Sequence, residues 1–152
     1  MSFLAKLVLG SNQYTVLHAR YEITQPTGKY NMPTDRPHIG LINIVVESSG
    51  KNELFDWAIS PKVTKNGHII FYRRDSQSAL NTLKFKDTFC VSYKEIFEAD
   101  GSVPMKIDMS LSPRVLELNN SFLEEEWPGF NGSSDGQNGQ NENESISSFN
   151  PS

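Results

Sequence analysis

Apolar residues alternate with polar ones over most of this chain, which is the signature of strands with one buried and one wet face. Phe3 to Leu9 reads as a first short strand, and Gly10-Ser11-Asn12 as a turn. Tyr14 to Ile23 reads as a second, placing Leu17, Ala19, Tyr21 and Ile23 on one face and His18, Arg20 and Glu22 on the other. Ile39 to Glu47 turns Ile42, Ile44 and Val46 inward. His68 to Arg73 follows Asn66-Gly67. From Ala79 to Phe97 the alternation is longest, with Leu83, Phe85, Phe89, Val91 and Tyr93 on one parity and only Asp87 breaking the set. So long a run must bend or pass between two sheets, and Asp87 marks either a bulge, the favoured reading, or a buried contact to an arginine. Asp100-Gly101 is a strong hairpin turn. Val103, Met105, Ile107, Met109 and Leu111 then face inward on the returning strand, and Val115 to Leu118 adds a short final one.

Two stretches break the period of two. Asn52 to Ile59 pairs Leu54 with Ala58 and Phe55 with Ile59 at the spacing that aligns side chains on a helix. Asn52 is placed to cap it and Pro61 to stop it. Two turns of helix are unstable alone, so this one must pack its apolar stripe, with Trp57, on a sheet or across an open end. Thr24 to His38 carries Pro26, Pro33, Pro37 and Gly28 with no apolar period, so it predicts a long loop. A loop of that length is either a contact arm to a partner subunit or a mobile surface segment, and its residues leave both open.

About seven strands and one short helix, without repeated crossover helices, exclude a parallel βαβ architecture. An all-β antiparallel barrel or two-sheet sandwich is the economical solution, and closure removes edges that invite uncontrolled pairing.

Composition limits where that fold ends. The chain has 152 residues, enough for one ordinary core. From Asn131 onward only Ile146 and Phe149 are large and apolar, which cannot offset the entropy of ordering the segment. The expected organisation is therefore a domain over 1–130 and an unordered polar tail over 131–152. Glu124-Glu125-Glu126 reads as a solvated run leaving the domain, with Trp127 tucked back as an anchor.

Charge and chemistry narrow the function by exclusion. Asp135, Glu142 and Glu144 lie in a tail without Lys or Arg, so the folded part holds 14 basic against 15 acidic groups. A domain gripping a nucleic-acid backbone normally shows a basic excess, so nucleic acid is not an expected partner. Cys90 is the single cysteine and excludes an internal disulfide framework. MSFLAKLVLG lacks the features of a cleaved signal peptide, and no stretch approaches a membrane span, so the expected compartment is a reducing cytoplasm without stable membrane insertion. The N-x-S triplets at Asn119, Asn131 and Asn143 read as chance. His18, His38 and His68 share no ligand spacing, and no nucleophile elbow, phosphate loop or H-E-x-x-H helix is present. The expectation is no enzyme, no cofactor and no metal. FYRRD, Phe71 to Asp75, concentrates charge at a strand end, with Arg73 and Arg74 on opposite faces and an intersubunit or loop-fixing role.

Several blocks in order, namely MSFLAKLVLG, YTVLHARYEITQPT, ELFDWAISP, GHIIFYRRD, LKFKDTFCVSYKEIFEADG and PMKIDMSLSPRVLEL, carry a resemblance across Met1 to about Asn120. They resemble the type VI secretion tube proteins of Bacteroidetes, the TssD members of the haemolysin-coregulated protein (Hcp) group. The resemblance implies a phage-tail-tube-like two-sheet barrel with a short helix, six copies closing into a ring, and rings stacking into the inner tube of a contractile apparatus. It further implies assembly in the cytoplasm, export by firing, and sheath, baseplate, spike and effector proteins as partners. No catalytic set is carried over. Thr24 to His38 resembles the loop reaching a neighbouring ring, which makes Thr27, Tyr30, Asn31 and Arg36, with Arg73 and Arg74, the candidate contact residues. The polar tail departs from the family pattern. Two alternatives follow: an accessory or cap-like variant, or a monomeric barrel binding a small ligand among its inward aromatics Phe85, Phe89, Tyr93 and Phe97.

Overall fold

The computed structural model describes residues 4–74 and 78–129. The expected tail, 131–152, lies outside the described residues, as does Asp75. The first hairpin pairs β1 (Ala5–Leu9) with β2 (Asn12–Arg20), and Leu9 faces Asn12 across a two-residue turn in which Gly10 adopts a φ of 60°. Then follow β3 (Ile23–Thr24), β4 (His38–Ile39), β5 (Ile42–Glu47), α1 (Glu53–Ala58), β6 (Lys65–Tyr72) and β7 (Ala79–Phe97). The chain returns through β8 (Met105–Ser112), β9 (Val115–Leu118) and β10 (Ser121–Glu124).

Strands β7, β6, β1, β2, β5 and β8 are neighbours in that order, and β8 pairs back with β7, closing a six-stranded antiparallel barrel. Two strands turn its corners. β2 pairs with β1 up to Thr15 and with β5 from Val16. β7 pairs β6 and β9 along its first half and β8 along its second. The nineteen-residue strand thus passes between two sheets, as its length required.

Both corners are bulged, and the bulges correct the strict alternation. In β2 the register slips between Val16 and His18, so Leu17 points outward while Tyr14 and Val16, then Ala19 and Tyr21, pack on the core. In β7 the slip at Lys86-Asp87 puts Asp87 at a φ of 51° and inverts parity, burying Thr88 and Cys90 and turning Phe89 out. A second slip at Val91 exposes that residue and returns Tyr93 toward the core. Asp87 is also the partner of Arg114, so bulge and arginine contact occur together. A bulge adds one residue to one strand only, which is what lets a sheet bend without losing its ladder.

The barrel axis is filled by fully buried Leu7, Ile42, Ile44, Ile69, Phe85 and Met109. Phe85 is the one fully buried member of the expected aromatic set. Tyr93 meets Phe55 edge-on at 5.8 Å, Phe89 stacks on Trp127 at 5.6 Å, and Phe97 is exposed. Trp127 is thereby the anchor expected of it. Gly67 sits where this core is tightest: an added Cβ would lie 2.6 Å from the Val8 carbonyl oxygen and 2.9 Å from Phe85 Cζ. Backbone cannot withdraw like a flexible side chain, so Gly67→Ala is expected to destabilise by about 1–3 kcal/mol in urea unfolding.

Helix α1 covers one end of the barrel wall. Leu54 and Trp57 are its buried residues, and the Trp57 indole N–H donates to the Thr88 carbonyl at 3.1 Å. Phe55 and Ile59, expected in the packed stripe, are exposed. Asn52 makes no side-chain cap bond. Its neighbour Glu53 holds the helix instead, accepting from Asn12 at 3.0 Å and the Tyr14 hydroxyl at 2.6 Å, with Lys65 Nζ at 3.6 Å. Burial, then the bond to Glu53, pushes the Tyr14 phenol up, so it stays a donor at any ordinary pH.

Candidate assembly surface

The chain between β2 and β5 is an ordered arm rather than a structureless loop. Its base is the two-residue ladder of β3 and β4, Ile23 opposite Ile39 and Thr24 opposite His38. A bridge between Thr27 and Pro33 closes it further out, with Gly28 N–H to the Met32 carbonyl at 2.9 Å and Thr34 N–H to the Pro26 carbonyl at 2.9 Å. Asn31 makes the tip turn at a φ of 62°, a left-handed geometry that asparagine tolerates better than most residues. Prolines removed donors from the arm, but Gly28, Asn31 and Thr34 still donate within it above the β3–β4 ladder, so the composition that excluded a central strand still permits a hairpin. Tyr30 is 77% exposed and Met32 66%, two large apolar side chains held out by ordered backbone. Lys29 Nζ lies 5.8 Å from the Tyr30 ring.

The base of the arm is strapped down by the acids after β10. Glu125 takes the Ile39 N–H on one carboxylate oxygen and faces His38 Nδ1 at 3.3 Å with the other. Arg36 donates to the Glu124 carbonyl and pairs with Glu126 at 3.3 Å. Asp35 accepts the Arg36 N–H at 2.7 Å and lies 3.3 Å from His38 Nε2. Bonds first to Asp35 and then to Glu125 hold the His38 pKa above its ordinary value, while the Arg36 N–H and His38 hold Asp35 below its own. Glu124 in turn accepts from Arg114, which is 2% exposed and bonds Asp87 Oδ2 through Nε at 2.9 Å and Nη2 at 2.7 Å. A line of charge-assisted contacts therefore runs from the barrel corner through β10 to the arm. Sequence reasoning had these acids as a solvated run. Their partners in the arm lie 86 to 90 positions away, and no local pattern announces such contacts.

Of the six candidate contact residues, Thr27, Tyr30 and Asn31 come together on the outer arm. Arg36 lies at its foot and is engaged within the chain. Arg73 and Arg74 stand apart, exposed just after β6, where the Arg73 N–H bonds the Ser78 carbonyl at 3.0 Å. The clefts near the arm and helix are polar and open, such as that of about 330 Å³ bounded by Arg20, Tyr21, Glu22, Leu41 and Asn43. Among the described residues no group of three or more His, Cys, Asp or Glu could hold a metal, and no helix is long and apolar enough to cross a membrane. Burial pushes the Cys90 thiol up, the opposite of what a nucleophile needs.

Over residues 1–128 the sequence matches the family described as hemolysin coregulated protein Hcp (TssD). The chain belongs to this family. The Hcp1 structure of Flavobacterium johnsoniae is 32% identical, with a TM-score of 0.75, covering 80% of this chain and 99% of that one. Hcp1 of Salmonella typhimurium shares the fold at 12% identity and a TM-score of 0.64, over 81% of this chain and 92% of its own. Hcp3 of Pseudomonas aeruginosa, a secreted protein, does so at 11% identity and 0.57, over 83% and 99%. No curated protein matches the sequence. The closed barrel with one short helix is the Hcp and tail-tube fold, and with it the Hcp chain has a structural, tube-forming family role.

Proposed function

We propose that this Hcp chain closes as six copies into a ring and that its rings stack into the inner tube of a type VI secretion apparatus, carrying effectors. The observation that carries the reading is the arm: an ordered hairpin strapped at its base and presenting Tyr30 and Met32 to solvent. Fixing those side chains in advance lowers the entropic cost of their burial in a partner. The closed barrel supports the same reading. The six barrel strands leave no open edge among themselves, so their outer faces are free to meet other copies, and heterologous contacts can close with rotational symmetry. Thr27, Tyr30 and Asn31 then serve contact between rings, Arg73 and Arg74 contact between subunits, and Arg36 holds the arm from within. Sheath, baseplate, spike and effector proteins are the further partners. The protein is cytoplasmic while the tube is built and extracellular once it has been fired. A filled barrel axis speaks against a monomeric ligand carrier.

Light scattering and electron microscopy test this on the full chain. A native mass of about six 17.1 kDa protomers and annular particles are expected. The double variant Tyr30→Ala, Met32→Ala should keep the rings and lose their stacking. A single-protomer mass at high concentration and low salt would reject the ring.

A further inference from the structure

The clamp at the foot of the arm has a property that the tube reading does not require. Both ring nitrogens of His38 face carboxylate oxygens at 3.3 Å, Nε2 that of Asp35 and Nδ1 that of Glu125. An ionised carboxylate can only accept, and neutral imidazole has one N–H. Only imidazolium satisfies both contacts. In the neutral ring one nitrogen lone pair points at a carboxylate, and that contact becomes repulsive. The neighbouring cation cannot substitute, because Arg36 is engaged by Glu126 and the Glu124 carbonyl.

We infer that His38, set between Asp35 of the arm and Glu125 of the segment after β10, is a proton-dependent latch that holds the arm to the barrel when charged and loosens it when neutral. The Glu125 carboxylate makes the device more than a surface ion pair. The same group that faces His38 takes the Ile39 N–H of β4, so losing the imidazolium frees Glu125 to swing away from the ladder that closes the arm. Glu125 is itself mostly buried and is tied to the body through its own N–H, which bonds the Arg114 carbonyl at 2.7 Å. The body side of the latch is therefore fixed, and the arm is the part that responds.

The direction in pH follows from the geometry and agrees with the raised pKa of His38. A group whose folded pKa lies above its unfolded value stabilises fully below the unfolded pKa, and that contribution is lost as pH rises through the folded one. The latch is closed through mildly acidic pH and opens on the alkaline side of the ordinary histidine range. Its consequence for assembly rests on the tube reading. Looser arms give weaker stacking at the same protein concentration, with the rings themselves intact.

Hydrogen exchange at the Ile39 amide of the full chain reads the latch directly. After correction for intrinsic exchange, protection should fall severalfold between about pH 6 and about pH 9 in the parent protein. In His38→Gln, whose amide does not titrate, protection should be nearly constant. In Glu125→Gln it should be low throughout, with the His38 titration moved down. His68→Gln is the control and should follow the parent. The same pH profile in His38→Gln and the parent would overturn the latch. Sedimentation of stacked tubes, measured in parallel, separates the two readings. Protection that titrates with His38 in a chain that never forms rings leaves the latch standing and removes the tube. Tubes whose arm is indifferent to His38 do the reverse.

Discussion

Arg114→Ala should lower the unfolding free energy by about 3–5 kcal/mol, the cost of stripping a buried ion pair of one partner. Asp87 and Glu124 are 31% and 30% exposed, so water will relieve part of their loss and the lower end of that range is expected. The guanidinium lies where β8 gives way to β9, opposite the β7 bulge, and it neutralises an acid from each side of the corner. Removing it leaves two carboxylates near one another with no cation between them. The urea midpoint is the first measurement. The second is Ile39 exchange, because Glu124 and Glu125 carry the strap and should loosen with β10. Adding Asp87→Asn and Glu124→Gln to the Arg114→Ala variant removes the orphaned charges and should restore a good part of the stability. A loss below about 1 kcal/mol would place the network with ordinary surface pairs.

Trp57→Ala is expected to cost a further distinct 3–5 kcal/mol or about that, the range for truncating a large aromatic in a core. Trp57 is 1% exposed, and it gives α1 its hold on β7 through the Thr88 carbonyl. The surroundings have little polar compensation, since Thr88 Oγ1 is already buried without a partner. Trp57→Phe separates the two contributions. It keeps most of the packing and removes the N–H, so it should lose only about 1–3 kcal/mol. Equal losses in the two variants would mean that the hydrogen bond, not the packed ring, secures the helix. Thermal unfolding followed by circular dichroism distinguishes these outcomes while Trp127 remains in place.

The barrel strands were legible one by one because burial has a period that a chain displays locally, whereas closure into a barrel rather than a sandwich was not. Ile42, Ile44 and Val46 are all fully buried, as are Met109 and Leu111 across the ladder from them. The helix was legible in position but not in facing: Leu54 points in as its spacing suggested, and Phe55 does not. β10 was missed because Phe122, its largest apolar residue, is exposed, so the strand shows no buried alternation. It is held by its ladder to β9 and by Arg114. The arm was visible as a segment, through its prolines and glycine, while its hairpin closure was not.

Local pattern thus determined which segments are strands, where most of the turns fall and which stretch stands outside the core, because alternation and turn chemistry act between residues a few positions apart. Asp87 announced one bulge by breaking an apolar set, but tertiary structure decided the other parity breaks, at Leu17 and Val91, since a bulge is set by which distant edges must meet for the barrel to close. It also decided that Arg114 is buried and that Glu124, Glu125 and Glu126 hold the arm. Those assignments depend on partners brought close only by the finished fold, and a carboxylate has the same local signature whether it faces water or a histidine 87 positions away.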